Sequence, residues 1–302
     1  PRRHGGRGRG LRGRRRHRVR HGDGPCRRRA RDRRRLGLSR PRAPRPRRSR
    51  GDPAGLRRRR RRCRRNGGPA MRRFWTEVAI EPAPQGHALR LDARPVRTPA
   101  KADLVVPTRA LAEAVAEEWR AQGETVEPAA MPLTRAANAA IDRVTREREA
   151  VAELLAGYGE TDLLCYRAPE PETLAARQAE AWDPLLDWAA EAFGARLLPA
   201  EGVMFVAQDA DALARLARAV AAHDPWELTA LHDLVTLSGS LVIGLAVSHG
   251  ALDEGDAWAR SRIDEAWNEE KWGEDAEAAA RTAAKRAEFA EAVRLLSLLR
   301  AG

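Results

Sequence analysis

The sequence predicts an α+β protein, with a small β-rich N-terminal domain followed by an α-helical C-terminal domain resembling an orthogonal bundle. Three observations carry that expectation. Composition changes abruptly at Met71, so the core must be built from residues 71–302. Short strand-like runs broken by Pro and Gly fill 74–107. From about residue 150 the apolar spacing is helical. The expected boundaries are 1–70, 71–150 and 151–302.

Residues 1–70 contain 31 Arg, no Lys, three acids and no aromatic residue, a net charge of +28. A segment so charged and so poor in apolar residues does not offset its ordering entropy, so disorder is expected. An Arg-rich arm gripping phosphate backbones would show this charge. A targeting presequence would add Ser and an amphipathic face, which are not evident here. The favoured residues are those of GC-rich codons, and the first Met is Met71. The expectation is therefore translation upstream of the true start. The remaining 25 basic and 39 acidic residues leave 71–302 at −14, so no nucleic-acid partner is expected.

Residues 71–302 number 232 and hold all eight Trp, both Tyr and all four Phe, enough for a substantial core. Cys165 is their single cysteine, which excludes a disulfide framework and suits a reducing compartment. Leu234–Leu252 runs nineteen residues without a charge. Its Thr236, Ser238, Gly239, Ser240, Ser248 and His249 dilute it below a membrane span. A buried central helix of a soluble acidic protein, with no membrane insertion, is the expectation.

Phe74–Ile80 has strand composition, Pro82, Pro84 and Gly86 break it, and Ala88–Leu91 turns through Asp92–Pro95 into Val96–Thr98. Leu104–Val106 is a further short strand. Thr108 can cap a helix with Leu111, Val115 and Trp119 on one face. Thr134 can start another through Ala137 and Ile141. A helix from Glu172 meets Pro184, which should kink or restart it, and Gly194 should stop it. Val203–Val206 reads as a short extended piece. Asp209 can cap a helix, and Asp224-Pro225 can open a long apolar one reaching about Ser248. Charged helices near 253–271 and 275–300 close the chain.

Catalytic wiring is not found. No phosphate loop, no Gly-x-Gly-x-x-Gly after a strand, no His-Glu-x-x-His and no Gly-x-Ser-x-Gly elbow occurs. Gly239-Ser240 reads as a close-packing contact, His232-Asp233 as a solvated pair, and Cys165 as core. No metal, no cofactor and no catalytic residue is expected. An uncharacterised hydrolase, needing a pocket with a perturbed acid or base, is the alternative reading, and a nucleic-acid binder rests on residues 1–70 alone.

An aromatic and acidic cluster near the C-terminus interleaves Trp258, Ile263, Trp267 and Trp272 with Asp264, Glu265, Glu269, Glu270, Glu274 and Asp275. It suits either core tryptophans beside solvated carboxylates or a surface for a basic partner. Phe74-Trp75, Leu91–Pro99, Met131–Thr134, Thr161–Arg167, Trp182–Trp188 and Lys271-Trp272-Gly273 resemble, in order, motifs of the ATP-twelve assembly chaperones of F-type ATP synthase. The resemblance implies a chaperone and not an enzyme. Its client would be the free alpha subunit of the F-one sector, bound so that the beta-facing surface is shielded. It further implies a monomer when free, cytoplasmic in bacteria and in the mitochondrial matrix in eukaryotic relatives. By this resemblance Glu265, with Asp264 and Trp267 beside it, would contact the client. Trp119 would pack between the first helix and the sheet. Trp182, Asp183, Trp188, Trp272 and Gly273 would be structural.

Overall fold

A computed structural model describes residues 71–301; the expectations for 1–70 lie outside them. The fold is α+β, a small antiparallel sheet followed by a helical region.

The sheet is built on a hairpin. Strand β1 (Val78–Ala83) pairs with β2 (Gly86–Leu91) from Val78↔Leu91 to Ala83↔Gly86. Strand β1 thus starts later than composition suggests and runs through Pro82. Phe74 and Trp75 precede it; Phe74 is exposed while Trp75 is buried. The short strands β3 (Arg94–Pro95) and β4 (Val105–Val106) also pair with β2. Leu89, Leu91, Val96, Leu104 and Val106 turn inward onto helix α1 (Arg109–Arg120), whose Leu111, Val115 and Trp119 are buried. Thr108 caps α1, its hydroxyl accepting from the Leu111 N–H and donating to the Leu298 carbonyl near the C-terminus.

Helix α2 (Pro132–Ala139) begins two residues before Thr134 and continues as a wider turn, Ala140–Val144. The reason is Glu118 on α1. Its carboxylate accepts from the Leu133 N–H, the Thr134 N–H and the Thr134 hydroxyl, at 2.7, 2.8 and 2.7 Å, so a remote side chain supplies the cap. Helix α3 (Arg148–Ala156) leads through 3-10 turns to β5 (Tyr166–Arg167), which pairs in parallel with β6 (Ala200–Glu201). Between them lies α4 (Glu172–Phe193), which continues through Pro184 without a break and ends at Gly194 with φ +66°.

Helix α5 (Ala210–Ala221) is capped by Asp209, and α6 (Pro225–Ser238) opens on a capping box of Asp224 and Glu227. The expected single apolar helix to Ser248 is two. Helix α6 stops at Gly239, at φ +74°, and α7 (Leu241–Ser248) restarts on Ser240. The Gly239-Ser240 pair is therefore a break between two helices and not a packing contact. The tight crossing is instead at Gly244, where an added Cβ would lie 2.5 Å from Val235 Cγ2. Every residue of α7 is buried, and no described helix is long and apolar enough to cross a membrane.

The expected helix near 253–271 is likewise two, α8 (Glu254–Ser261) and α9 (Ile263–Trp272), separated at Arg262 where φ is −122° and ψ 21°. Helix α10 (Ala276–Arg300) closes the chain and packs Phe289, Ala292, Leu295 and Leu296 into the core. Val203–Val206 forms no strand: it is an irregular, solvent-facing run, with Val203 91% exposed.

Candidate partner-binding surface

Helix α9 is held against the body by its inner side. The Gln178 amide on α4 donates to Asp264 Oδ1 at 2.6 Å and accepts from the Ala168 N–H at 2.8 Å. Arg177 pairs with Glu270 at 2.8 Å, and the preceding α8 is held in turn by the Trp182 indole, which donates to the Arg260 carbonyl at 2.8 Å. Asp264 is thus committed to aligning α9 on α4, because its oxygen already holds a buried amide.

Glu265 stands on the outer side, exposed, with its carboxylate 2.7 Å from Arg262. The carboxylate is the open half of this pair, with Arg262 largely covered, so Glu265 can still face a second cation. Trp267 is partly buried against the core, and Lys271 Nζ lies 4.9 Å from its ring centroid. Trp272 stands apart from the structural role expected of it: it is 86% exposed. It is the last residue of α9, and Gly273 at φ +87° turns the chain away, so no neighbouring element covers the indole. The Gly273 conformation strains any other residue, and its N–H donates to the Glu269 carbonyl at 2.9 Å.

Of the remaining tryptophans, Trp75, Trp119, Trp182 and Trp258 are buried, and Trp188 and Trp226 are partly buried against the core. Trp119 meets Trp75 edge-on at 5.3 Å between α1 and the sheet. Trp182 is fully buried under the Arg167 guanidinium, whose centre lies 5.2 Å from its ring, and Arg167 donates to Asp183 at 2.7 Å and to the Leu164 carbonyl at 3.0 Å. Trp188 packs edge-on against Phe193 at 5.2 Å.

Two further features carry no signal of a site in the sequence. One is the apolar run Leu198–Val206, closed at its base by Gln208, whose side chain bonds both the N–H and the carbonyl of Leu198. The other is an open groove of about 880 Å³ between α2, α3, α6 and α10. Alanine is its commonest lining residue, and the charged ones come from three separate helices and a turn, so no local motif signals it.

Chemistry for catalysis is sparse. Burial, and the nearby Asp162 carboxylate, push the Cys165 thiol up to about 12, so it stays protonated. His232 and Asp233 pair at 3.0 Å in solvent, and among the described residues no hydroxyl or thiol is hydrogen-bonded to the His232 ring; the Thr236 hydroxyl donates to the His232 carbonyl instead. Among the described residues no three His, Cys, Asp or Glu side chains are grouped to hold a metal ion.

The model of the ATP12 chaperone protein family matches residues 72–190. Atp12 from Paracoccus denitrificans is 52% identical, with 76% of this chain and 98% of that chain superposed at a TM-score of 0.73. The Atu1473 protein of Agrobacterium tumefaciens, described as a chaperone, is 42% identical over 77% of this chain and 88% of its own, at a TM-score of 0.74. The mitochondrial protein atp12 of Schizosaccharomyces pombe is 26% identical over 217 residues, 68% of this chain and 75% of that protein. This chain belongs to the ATP12 chaperone family.

Proposed function

We propose that the chain acts in assembly of the F-type ATP synthase by binding the free alpha subunit and shielding its beta-facing surface. Membership of a chaperone family supports the assembly role. The observation that carries the binding is the outer side of α9, where Glu265 and Trp272, seven residues apart and both exposed, share one face while Trp267 packs inward. An obligate subunit interface is large and apolar, so an unpartnered subunit tends to aggregate. A surface combining an indole with a carboxylate covers apolar area and favours a basic rim. Glu265 presents its carboxylate to a basic group of the client, while Asp264 sets the orientation of the helix that carries it. The chaperone is monomeric when free and works in the cytoplasm of a bacterium.

The test is coexpression of the chain with the alpha subunit. A soluble complex that weakens with Glu265→Gln supports this reading. A Glu265→Gln protein that folds and holds the alpha subunit as well as wild type refutes the role of that carboxylate.

A further inference from the structure

The groove between α2, α3, α6 and α10 lies outside α9 and has no occupant among the described residues. Its walls are helices, whose backbone hydrogen bonds are satisfied internally. They offer side-chain packing and no free strand edge, so an occupant must satisfy its own backbone. That condition selects a helix over an extended peptide.

The lining is suited to one. Ala139, Ala150, Ala284 and Ala287 are exposed along it, and small residues let two helix axes come close. Leu154, 56% exposed, stands at the edge as an apolar anchor. No Phe, Tyr or Trp lines the space, unlike the usual small-molecule pocket. For a cylinder about 10 Å across, this volume holds about two helical turns.

Charge then orients the guest. Glu288 and Glu291 come from α10 and Asp233 from α6, whereas Arg135 and Arg143 come from α2 and the turn after it. Arg143 pairs with Glu147 at 3.3 Å and Glu291 with Arg294 at 3.4 Å, both open to water, whereas Glu288 has no ion-pair partner among the described residues. The α10 side is therefore the acidic one.

We infer that this groove receives an amphipathic helix of the client, its apolar stripe on the alanines and its basic edge along Glu288 and Glu291. The inference rests on the chaperone reading above and assigns that client a second contact separate from Glu265.

The full chain, coexpressed with the alpha subunit, tests it. Ala287→Trp and Ala150→Trp fill the groove from exposed positions and are expected to lower copurified alpha subunit about tenfold, as loss of a central contact does. Glu288→Arg is expected to lower it as well. Should circular dichroism show a tryptophan variant unfolded, Leu154→Glu carries the same test. Lysine cross-linking from Lys285 on α10 should reach an alpha-subunit segment with helical apolar spacing and basic residues. Filled variants that retain the client as wild type does overturn the groove while leaving the chaperone reading intact. Wild type failing to retain any alpha subunit overturns both. A cross-link to a strand-patterned segment, or to a second copy of this chain, also overturns the inference.

Discussion

Asp162 and Ser240 meet in the interior of the helical region, the serine hydroxyl donating to Asp162 Oδ1 at 2.7 Å across 78 positions of sequence. The same carboxylate accepts from the N–H groups of Leu164 and Val242, each at 3.0 Å. One buried acid thus caps α7 and fixes the turn leading to β5. Replacing it by alanine strands three donors in the core at about 1–3 kcal/mol each before relaxation. Asp162→Ala is expected to cost at least about 2 kcal/mol by urea denaturation on that scale. A change below about 0.5 kcal/mol, the size of an ordinary surface substitution, would contradict the capping role.

That contact also shows where sequence legibility ends. Thr108, Asp209 and Asp224 cap helices through neighbours two or three residues on, and such caps are visible in a local window. Asp162 and Glu118 cap helices far along the chain, so the α6–α7 break and the true start of α2 stay hidden. Leu234 and Val235 before Gly239 and Leu241, Val242 and Ile243 after it are apolar and buried, leaving no change of period to mark the break. At the surface, Glu265 is legible as an acid on a charged helix. Trp272 is not, because an indole reads as core wherever the fold supplies a cover. The groove escapes notice because alanine is the default residue of any helix.

Glu118 supplies a pH test. Burial, aided by nearby Glu291, raises its carboxyl above the ordinary 4.5 even though Thr134 and Leu133 donate to it. A raised folded value means that the folded state holds the proton more tightly. The resulting stabilisation is complete below 4.5 and is lost as pH rises through the folded value. Glu118→Gln removes this titration, so its urea midpoint should vary less with pH than that of wild type from 4.5 upward. Parallel profiles would mean that Glu118 titrates no differently in the folded and unfolded chains.

Arg167 and Asp183 separate a buried cation from the ion pair it makes. The arginine side chain is 9% exposed and the aspartate 55%, so the pair itself is largely screened. Asp183→Asn should therefore cost under about 1 kcal/mol. Arg167→Lys keeps the charge but lacks the planar group that lies on Trp182 and reaches the Leu164 carbonyl as well. Its expected cost is about 1–3 kcal/mol, the penalty of a buried group left partly unsatisfied. Equal effects of the two variants on the denaturation midpoint would put the energy in the ion pair after all.

Trp182 and Trp272 make the complementary test, because the same residue type occupies opposite environments. Trp182 is fully buried, and Trp182→Ala removes a large side chain and its Nε1 bond to Arg260, at an expected cost of about 3–5 kcal/mol. Trp272 is 86% exposed, so Trp272→Ala deletes almost no intramolecular contact and should move the denaturation midpoint by no more than about 0.5 kcal/mol. Burial of that indole by a client would give the opposite ranking in binding. Among variants that still fold, Trp272→Ala should lose alpha-subunit retention at unchanged stability, whereas a surface alanine such as Ala283 changed to serine should lose neither. Both quantities come from one preparation, with the midpoint read from tryptophan-independent circular dichroism and retention from copurification. Trp272→Ala that lowers the midpoint by several kcal/mol would place the indole under cover in the free protein. Unchanged midpoint together with unchanged retention would leave α9 bearing an exposed tryptophan that the client does not touch, and the contact would then fall to Glu265 and the groove.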